Sequence, residues 1–176
     1  MRHVMVLPYR NPLDGEVEVD ETFVGGVKSG KRGRGAAGKV LVLIAAEVRG
    51  SAIGRIRLKV IPDATMATLT PAVTELVEKG SNVVTDGWGG YVGMNAAGFN
   101  HTISRYTPAV GKNLLPKVNR VASLLKRWIM GTHQGSISKD LLPAYLDEFV
   151  FRFNRRTAKS RGLLFQRLLK QAVLPI

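Results

Sequence analysis

The stretch Glu16–Val24, EVEVDETFV, opens with acidic and apolar residues in alternation, the period of two expected of a half-buried β-strand. It stops at Gly25-Gly26. The following VKSGKRGRGAAGK sets Lys28, Lys31, Arg32, Arg34 and Lys39 among glycines with no acid, which predicts a flexible basic hairpin loop. Two further runs rich in β-branched residues, 40–48 and 55–61, are separated by Gly50 and Gly54. With the first they predict a three-stranded antiparallel meander.

The period then changes. Over 64–79, Met66, Leu69, Val73, Leu76 and Val77 approximate helical spacing, and Gly80 stands where a helix stop belongs. A short buried-type strand, NVVT, runs straight into Asp86, so the order strand, helix, strand predicts a crossover and a parallel neighbour. Residues 101–106 are read as a fifth strand. Beyond Pro116 the chain turns helical and basic, with Val118, Val121, Leu125 and Trp128 forming one apolar stripe. The turn GTHQG closes that helix, and two more helices are predicted over 138–155 and 163–173, separated by RRTAKSRG. The whole is an α/β arrangement: a mixed five-stranded sheet, three antiparallel strands and then parallel strands, flanked by helices. That is the element order of a ribonuclease-H-like fold.

Composition narrows the function. The 176 residues suit one domain, and 45% hydrophobic content is enough to fill a single core. No run approaches the ~18 apolar residues of a membrane span, and the start has too short an apolar patch for a signal peptide, so no membrane partner and a cytoplasmic, nucleoid-associated location are expected. The absence of cysteine excludes disulfides and thiolate metal sites. A net charge of +13, from 26 Lys and Arg against 13 Asp and Glu, calls for a polyanionic partner, nucleic acid first.

In this element order the first and fourth strands are neighbours, which places Asp20 and Asp86 together. Two carboxylates there suit Mg²⁺ or Mn²⁺, hard cations that take oxygen ligands, and such a pair supports in-line displacement at phosphorus. Asn119, near the start of the basic helix, is the best-placed third ligand. Lys126 lies seven residues on, nearly two turns, sharing that face about 10 Å away along the axis. Read blandly, the same two are a capping Asn and a solvated Lys.

The strings GEVEVDETFVGG, VVTDGWGGY, NRVASLLKRWIMGTHQG and YLDEFVFRFNRR, in this order, resemble the catalytic domain of the insertion sequence 1595 family of transposases, in the DDE superfamily. The resemblance implies that Asp20, Asp86 and Asn119 are the metal-ligating catalytic positions, with Lys126 the lysine that follows them, and that about two Mg²⁺ or Mn²⁺ ions serve as cofactor. It implies cleavage of phosphodiester bonds at transposon ends and joining of the 3′ hydroxyls to target DNA by a homo-oligomer. Family members carry a zinc-ribbon or helix-turn-helix region ahead of this domain; residues 1–12 are read as the remnant of such a segment and 13–176 as the catalytic domain. A catalytically silent DNA-binding remnant that regulates a full-length transposase is the alternative, and a stand-alone nuclease of the same fold a third reading.

Candidate DNA contacts are Lys28, Lys31, Arg32 and Arg34 on the hairpin, and Arg120, Lys126, Arg127 and His133 on or just after the basic helix. Arg155 and Arg156 near the C-terminus complete the set, with Lys117, Arg152, Lys159 and Arg161 as further cations. Glu21 is expected on the opposite side of its strand from Asp20. Asp147 and Glu148 are read as helix-packing acids, Trp88 and Trp128 as core, and His101 as no part of a zinc site.

Overall fold

The structure, a computed structural model, describes residues 10–25, 39–107, 113–133, 137–160, 162–163, 166 and 168–170. Strands β1 (Glu16–Val24), β2 (Val40–Arg49) and β3 (Ala52–Ile61) are followed by helix α1 (Met66–Leu76) and strand β4 (Asn82–Thr85). A 3-10 turn, Gly89–Tyr91, leads to β5 (Asn100–Ile103), and helices α2 (Pro116–His133) and α3 (Leu142–Asn154) complete the order. The strands form one sheet in the order β3-β2-β1-β4-β5. β1, β2 and β3 pair antiparallel, whereas β1 with β4 and β4 with β5 pair parallel. The meander and the crossover through α1 are both present.

Side-chain alternation in β1 divides the interior in two. Val17 and Val19 join Leu41, Leu43, Leu69, Val73, Leu76 and Tyr91 in a core beneath α1. Val24, with Val42, Ile44, Ile56 and Leu58, faces the other way and packs on Val118, Val121, Leu125 and Ile129 of α2 and on Phe149 and Phe153 of α3. Burying these apolar faces on both sides of one sheet is the dominant favourable term in the fold, at roughly 25 cal/mol per Å².

Several boundaries differ from expectation. β3 begins three residues earlier than predicted, because Ala52 pairs back on Arg49 across a tight turn at Gly50 with φ 59°. α1 is shorter than 64–79. Val77 is already extended and bridges Leu13, and Met66, placed on the apolar face by spacing alone, is 52% exposed in the first turn. β5 covers Asn100–Ile103 rather than 101–106. On α2 the fourth buried position is Ile129, with Trp128 half-buried against Tyr145 and Phe149 at ring distances of 6.3 and 5.7 Å. α3 starts at Leu142, not 138. The hairpin cations Lys28, Lys31, Arg32 and Arg34, the side chain of His133, Arg161 and part of the predicted last helix lie outside the described residues.

Candidate active site

The site is built from the α2-facing side of β1, where Glu18, Asp20 and Thr22 follow at alternate positions. Glu18 is buried, and its Oε2 accepts the backbone N–H groups of Lys117 at 2.7 Å and Val118 at 2.9 Å. A helix starts with N–H groups that have no intrahelical acceptor, and Pro116 at its head has no N–H to satisfy, so a single carboxylate serves the next two. Burial pushes the Glu18 carboxyl up, while those two N–H donors pull the other way. The strand thereby caps the helix and fixes where α2 begins, an arrangement with no local sequence signal because cap and helix lie about 100 residues apart.

Held in this way, α2 lies over β1 and encloses a cleft of about 440 Å³ lined by Asp20, Thr22, Asn113, Asn119, Ala122, Ser123 and Lys126. Three predicted residues, Asp20, Asn119 and Lys126, therefore share one cavity. Asp86 stands just past β4. The parallel register ends with Glu18 opposite Val84, two residues before each aspartate, and the Asp86 charge acts on Asp20. Val84 packs on the α2 side and Val83 in the α1-side core; Asp86, past the end of β4, is exposed, does not line the cleft, and acts electrostatically on both Asp20 and Tyr91.

The electrostatics are those of crowded acids. Burial, then the adjacent Glu21, then Asp86 raise the Asp20 carboxyl to about 7, against the Glu21 N–H that it accepts at 2.8 Å and the nearby Lys126. Burial and the Lys39 charge lower Lys126, with Asp20 opposing them. Glu21 points to the opposite face, as alternation predicts, and accepts the Tyr91 hydroxyl at 2.8 Å. Tyr91 is fully buried there, and burial together with Glu21 pushes its phenol up, so it remains a donor. Asp86 accepts the Trp88 N–H at 2.9 Å, closing a turn on itself.

The glycines of DGWGGY now have physical reasons. Gly87 has φ 84°, and a Cβ there would lie 2.6 Å from Ile103 Cγ2. At Gly90 a Cβ would lie 2.4 Å from the Ala64 carbonyl oxygen. Trp88 is not core: it is 38% exposed, with its indole N–H donated to Ala64 O at 2.8 Å. Its glycine neighbours carry no side chains to cover the ring, which is why the sequence reading of this residue fails.

Other candidates are engaged elsewhere. Lys117 Nζ donates to Ser51 O, whereas Arg120 and Arg127 are exposed on α2. Arg155 and Arg156 lie over Phe151 and Phe153 at 4.0 and 4.1 Å, and Arg156 also donates to the Phe153 and Ile53 carbonyls, at the β2–β3 hairpin end of the sheet. Glu148 pairs with Arg152 at 2.9 Å, and neither Asp147 nor Glu148 lines the cleft. His101 shares a 2.9 Å hydrogen bond with Thr85.

Sequence reasoning missed Glu18 and Asn113. Asn119 Nδ2 donates to Asn113 Oδ1 at 2.7 Å, which makes the Asn119 carbonyl oxygen the end available to a cation. Among the described residues no three His, Cys, Asp or Glu side chains gather as a metal site. The oxygen donors that line the cleft include one carboxylate, Asp20, and the neutral amides of Asn113 and Asn119, a hard-oxygen set of the kind a divalent cation keeping several waters accepts, with the Asp86 charge acting on Asp20 from outside the lining.

Residues 12–154 match the family model of the ISXO2-like transposase domain. Among solved structures, a chain from the cryoEM structure of a simian T-cell lymphotropic virus intasome in complex with PP2A regulatory subunit B56 gamma superimposes with a TM-score of 0.52 at 13% identity. The match covers 94% of this chain and 58% of that one, a likeness of fold. No curated protein matches the chain.

Proposed function

The chain belongs to the ISXO2-like transposase domain family, and from that premise we propose that it is a DNA-cleaving and DNA-joining catalytic domain on a ribonuclease-H-like core. Asp20, Asp86 and the Asn119 carbonyl would hold divalent cations, Mg²⁺ or Mn²⁺ and two in number by the family's chemistry. Bound there, the ions would supply Lewis-acid polarisation of the phosphate and of the attacking oxygen.

The remaining work falls to the protein. Asp20 and Asp86 would act on the scissile phosphate only through the cations they would hold, since a bare carboxylate repels it. Lys126, sharing the cleft with Asp20, offsets charge on the phosphate oxygens as the pentacoordinate state forms. Arg120 and Arg127, on the exposed side of α2, draw the backbone in, and the net charge of +13 adds a long-range attraction that weakens with salt. In the first step a water oxygen bonds to phosphorus at the element's end and the P–O3′ bond breaks, leaving a 3′ hydroxyl. In the second, that hydroxyl attacks a target phosphodiester and displaces its 3′ oxygen, so one phosphodiester replaces another. Two ends must be joined, which suits a homo-oligomer on DNA.

The observation that supports this reading is the meeting of Asp20, Asn119 and Lys126 in one cleft, with the Asp86 charge acting on Asp20. A strand-transfer assay with Mg²⁺ on DNA bearing the element's ends tests it: joined product is expected from the wild-type protein and none from Asp20→Ala or Asp86→Ala. Undiminished joining by either variant overturns the reading.

A further inference from the structure

We propose that His101 is a positioning residue for Asp86, acting through the Thr85 hydroxyl on the turn that presents that carboxylate, an inference that rests on the reading of Asp86 as a cation ligand. β5 is a short edge strand, and none of Asn100–Ile103 belongs to either apolar core, so what it contributes is largely polar. Val83 lies in the α1-side core and pairs with His101, so Thr85, two residues on, shares that side with the imidazole. Thr85 is fully buried, and its Oγ1 lies 2.9 Å from His101 Nε2.

The direction of that bond follows from the donors around it. Thr85 Oγ1 already accepts the Gly87 N–H at 3.3 Å. A hydroxyl has one proton of its own to give, and at a fully buried residue water does not take it, so it goes to His101 Nε2. His101 is therefore neutral with its proton on Nδ1, and burial, which lowers its basicity, acts in the same sense. Were Nε2 protonated instead, two donors would converge on Thr85 Oγ1 and the hydroxyl proton would be stranded.

A chain of bonds thus runs from the edge strand to the carboxylate. Asn95 Oδ1 holds the His101 N–H at 3.0 Å, His101 orients the Thr85 hydroxyl, and Thr85 Oγ1 holds Gly87 N–H. Asp86 Oδ1 then takes the Trp88 N–H at 2.9 Å. Asp86 is exposed beyond the end of its strand, and the residue after it is a glycine at φ 84°. Such a backbone has little stiffness of its own, so the direction of the carboxylate depends on the bonds that brace the turn. A ligand braced in advance gives up less freedom when it takes a cation.

Nitrogen NMR of the full chain, metal-free and labelled at histidine, reads the tautomer, with the His101 signals assigned by their loss in His101→Gln. An unprotonated Nε2 and a protonated Nδ1 are expected. Mn²⁺ binding, followed by electron paramagnetic resonance, should weaken roughly tenfold in Thr85→Val and in His101→Leu. Thr85→Ser keeps the hydroxyl and His101→Gln keeps an acceptor, so both should stay within about threefold of the parent. Exchange of the Gly87 amide should quicken in the first pair and not in the second. Urea midpoints taken alongside confirm that each variant is folded, and the His101 variants, which alter no fully buried residue, carry the test where Thr85→Val does not fold. A neutral ring protonated at Nε2 overturns the proposal, as do Mn²⁺ affinity and Gly87 exchange unchanged in folded Thr85→Val or His101→Leu. Equal weakening by Thr85→Val and Thr85→Ser also overturns it, assigning the effect to packing. Absence of Mn²⁺ binding by the parent removes the cation reading of Asp86, and the tautomer and the Gly87 exchange then decide the positioning on their own.

Discussion

Glu18 Oε2 accepts the Val118 N–H at 2.9 Å, and the same oxygen accepts Lys117 N–H at 2.7 Å, so one buried carboxylate on β1 decides where α2 begins. Removing it leaves two buried or half-buried donors without an acceptor. Glu18→Ala is expected to lower stability by about 2–4 kcal/mol, and Glu18→Gln, which keeps an acceptor oxygen, by about 1 kcal/mol. Urea denaturation measures both. A cost for Glu18→Ala no larger than that of an exposed residue would show that α2 is positioned by its apolar stripe alone.

Asp20 predicts a pH dependence with a definite sign. Its carboxyl is raised from 3.8 to about 7 by burial and by the neighbouring acids, so the fold prefers it protonated. Its contribution is fully favourable at low pH and is lost as pH climbs through that window. Asp20→Asn should therefore flatten this part of the stability profile and stabilise the metal-free chain at pH 8 by on the order of 2 kcal/mol. For the same reason Mn²⁺ must displace a proton below pH 7, and its apparent affinity should fall about tenfold per pH unit there. Metal titrations at three pH values check the slope.

The amide pair Asn113–Asn119 yields a test by symmetry. Because Asn113 Oδ1 takes the Asn119 N–H₂ at 2.7 Å, it orients an otherwise reversible carboxamide. Asn113→Ala should weaken Mn²⁺ binding several-fold, while Asn113→Asp retains the acceptor and most of the affinity. A carboxylate has no wrong end. In an Asn119→Asp background the Asn113→Ala effect should therefore shrink to near nothing, and an effect of equal size in both backgrounds would exclude the orienting role.

Gly89 and Gly90 form a matched pair of sites. A methyl at Gly90 would meet the Ala64 carbonyl oxygen at 2.4 Å, whereas at Gly89 nothing lies within 4 Å. Gly90→Ala is expected to lose about 1–3 kcal/mol and Gly89→Ala to stay within about 0.5 kcal/mol of the parent. Thermal melts of the two variants suffice.

Much of this architecture can be read from local pattern, since strand and helix periods are properties of consecutive residues. The alternation in EVEVD announces β1 and its two faces, and the step from NVVT to Asp86 announces β4 with an acid at its tip. What local pattern lacks is any account of distant partners. Glu18 looks like one more surface acid in an alternating strand, and only the arrival of α2 buries it. Asn113 lies in a loop whose geometry no period encodes, and Trp88 looks like core because aromatic residues usually are. Met66 fits the helical spacing of α1 and is nonetheless exposed in its first turn, because spacing alone does not say where along a helix its apolar face meets a neighbour.

β1 pairs with β2 across eight consecutive residues and carries Glu18 and Asp20 toward one helix layer while Glu21 serves the other. Parity in this strand is thus a shared reading frame for two unrelated tasks. Gaining or losing one residue between Glu16 and Asp20 would turn the acid away from its cleft and thrust valines into it. Length changes there are tolerable only in twos.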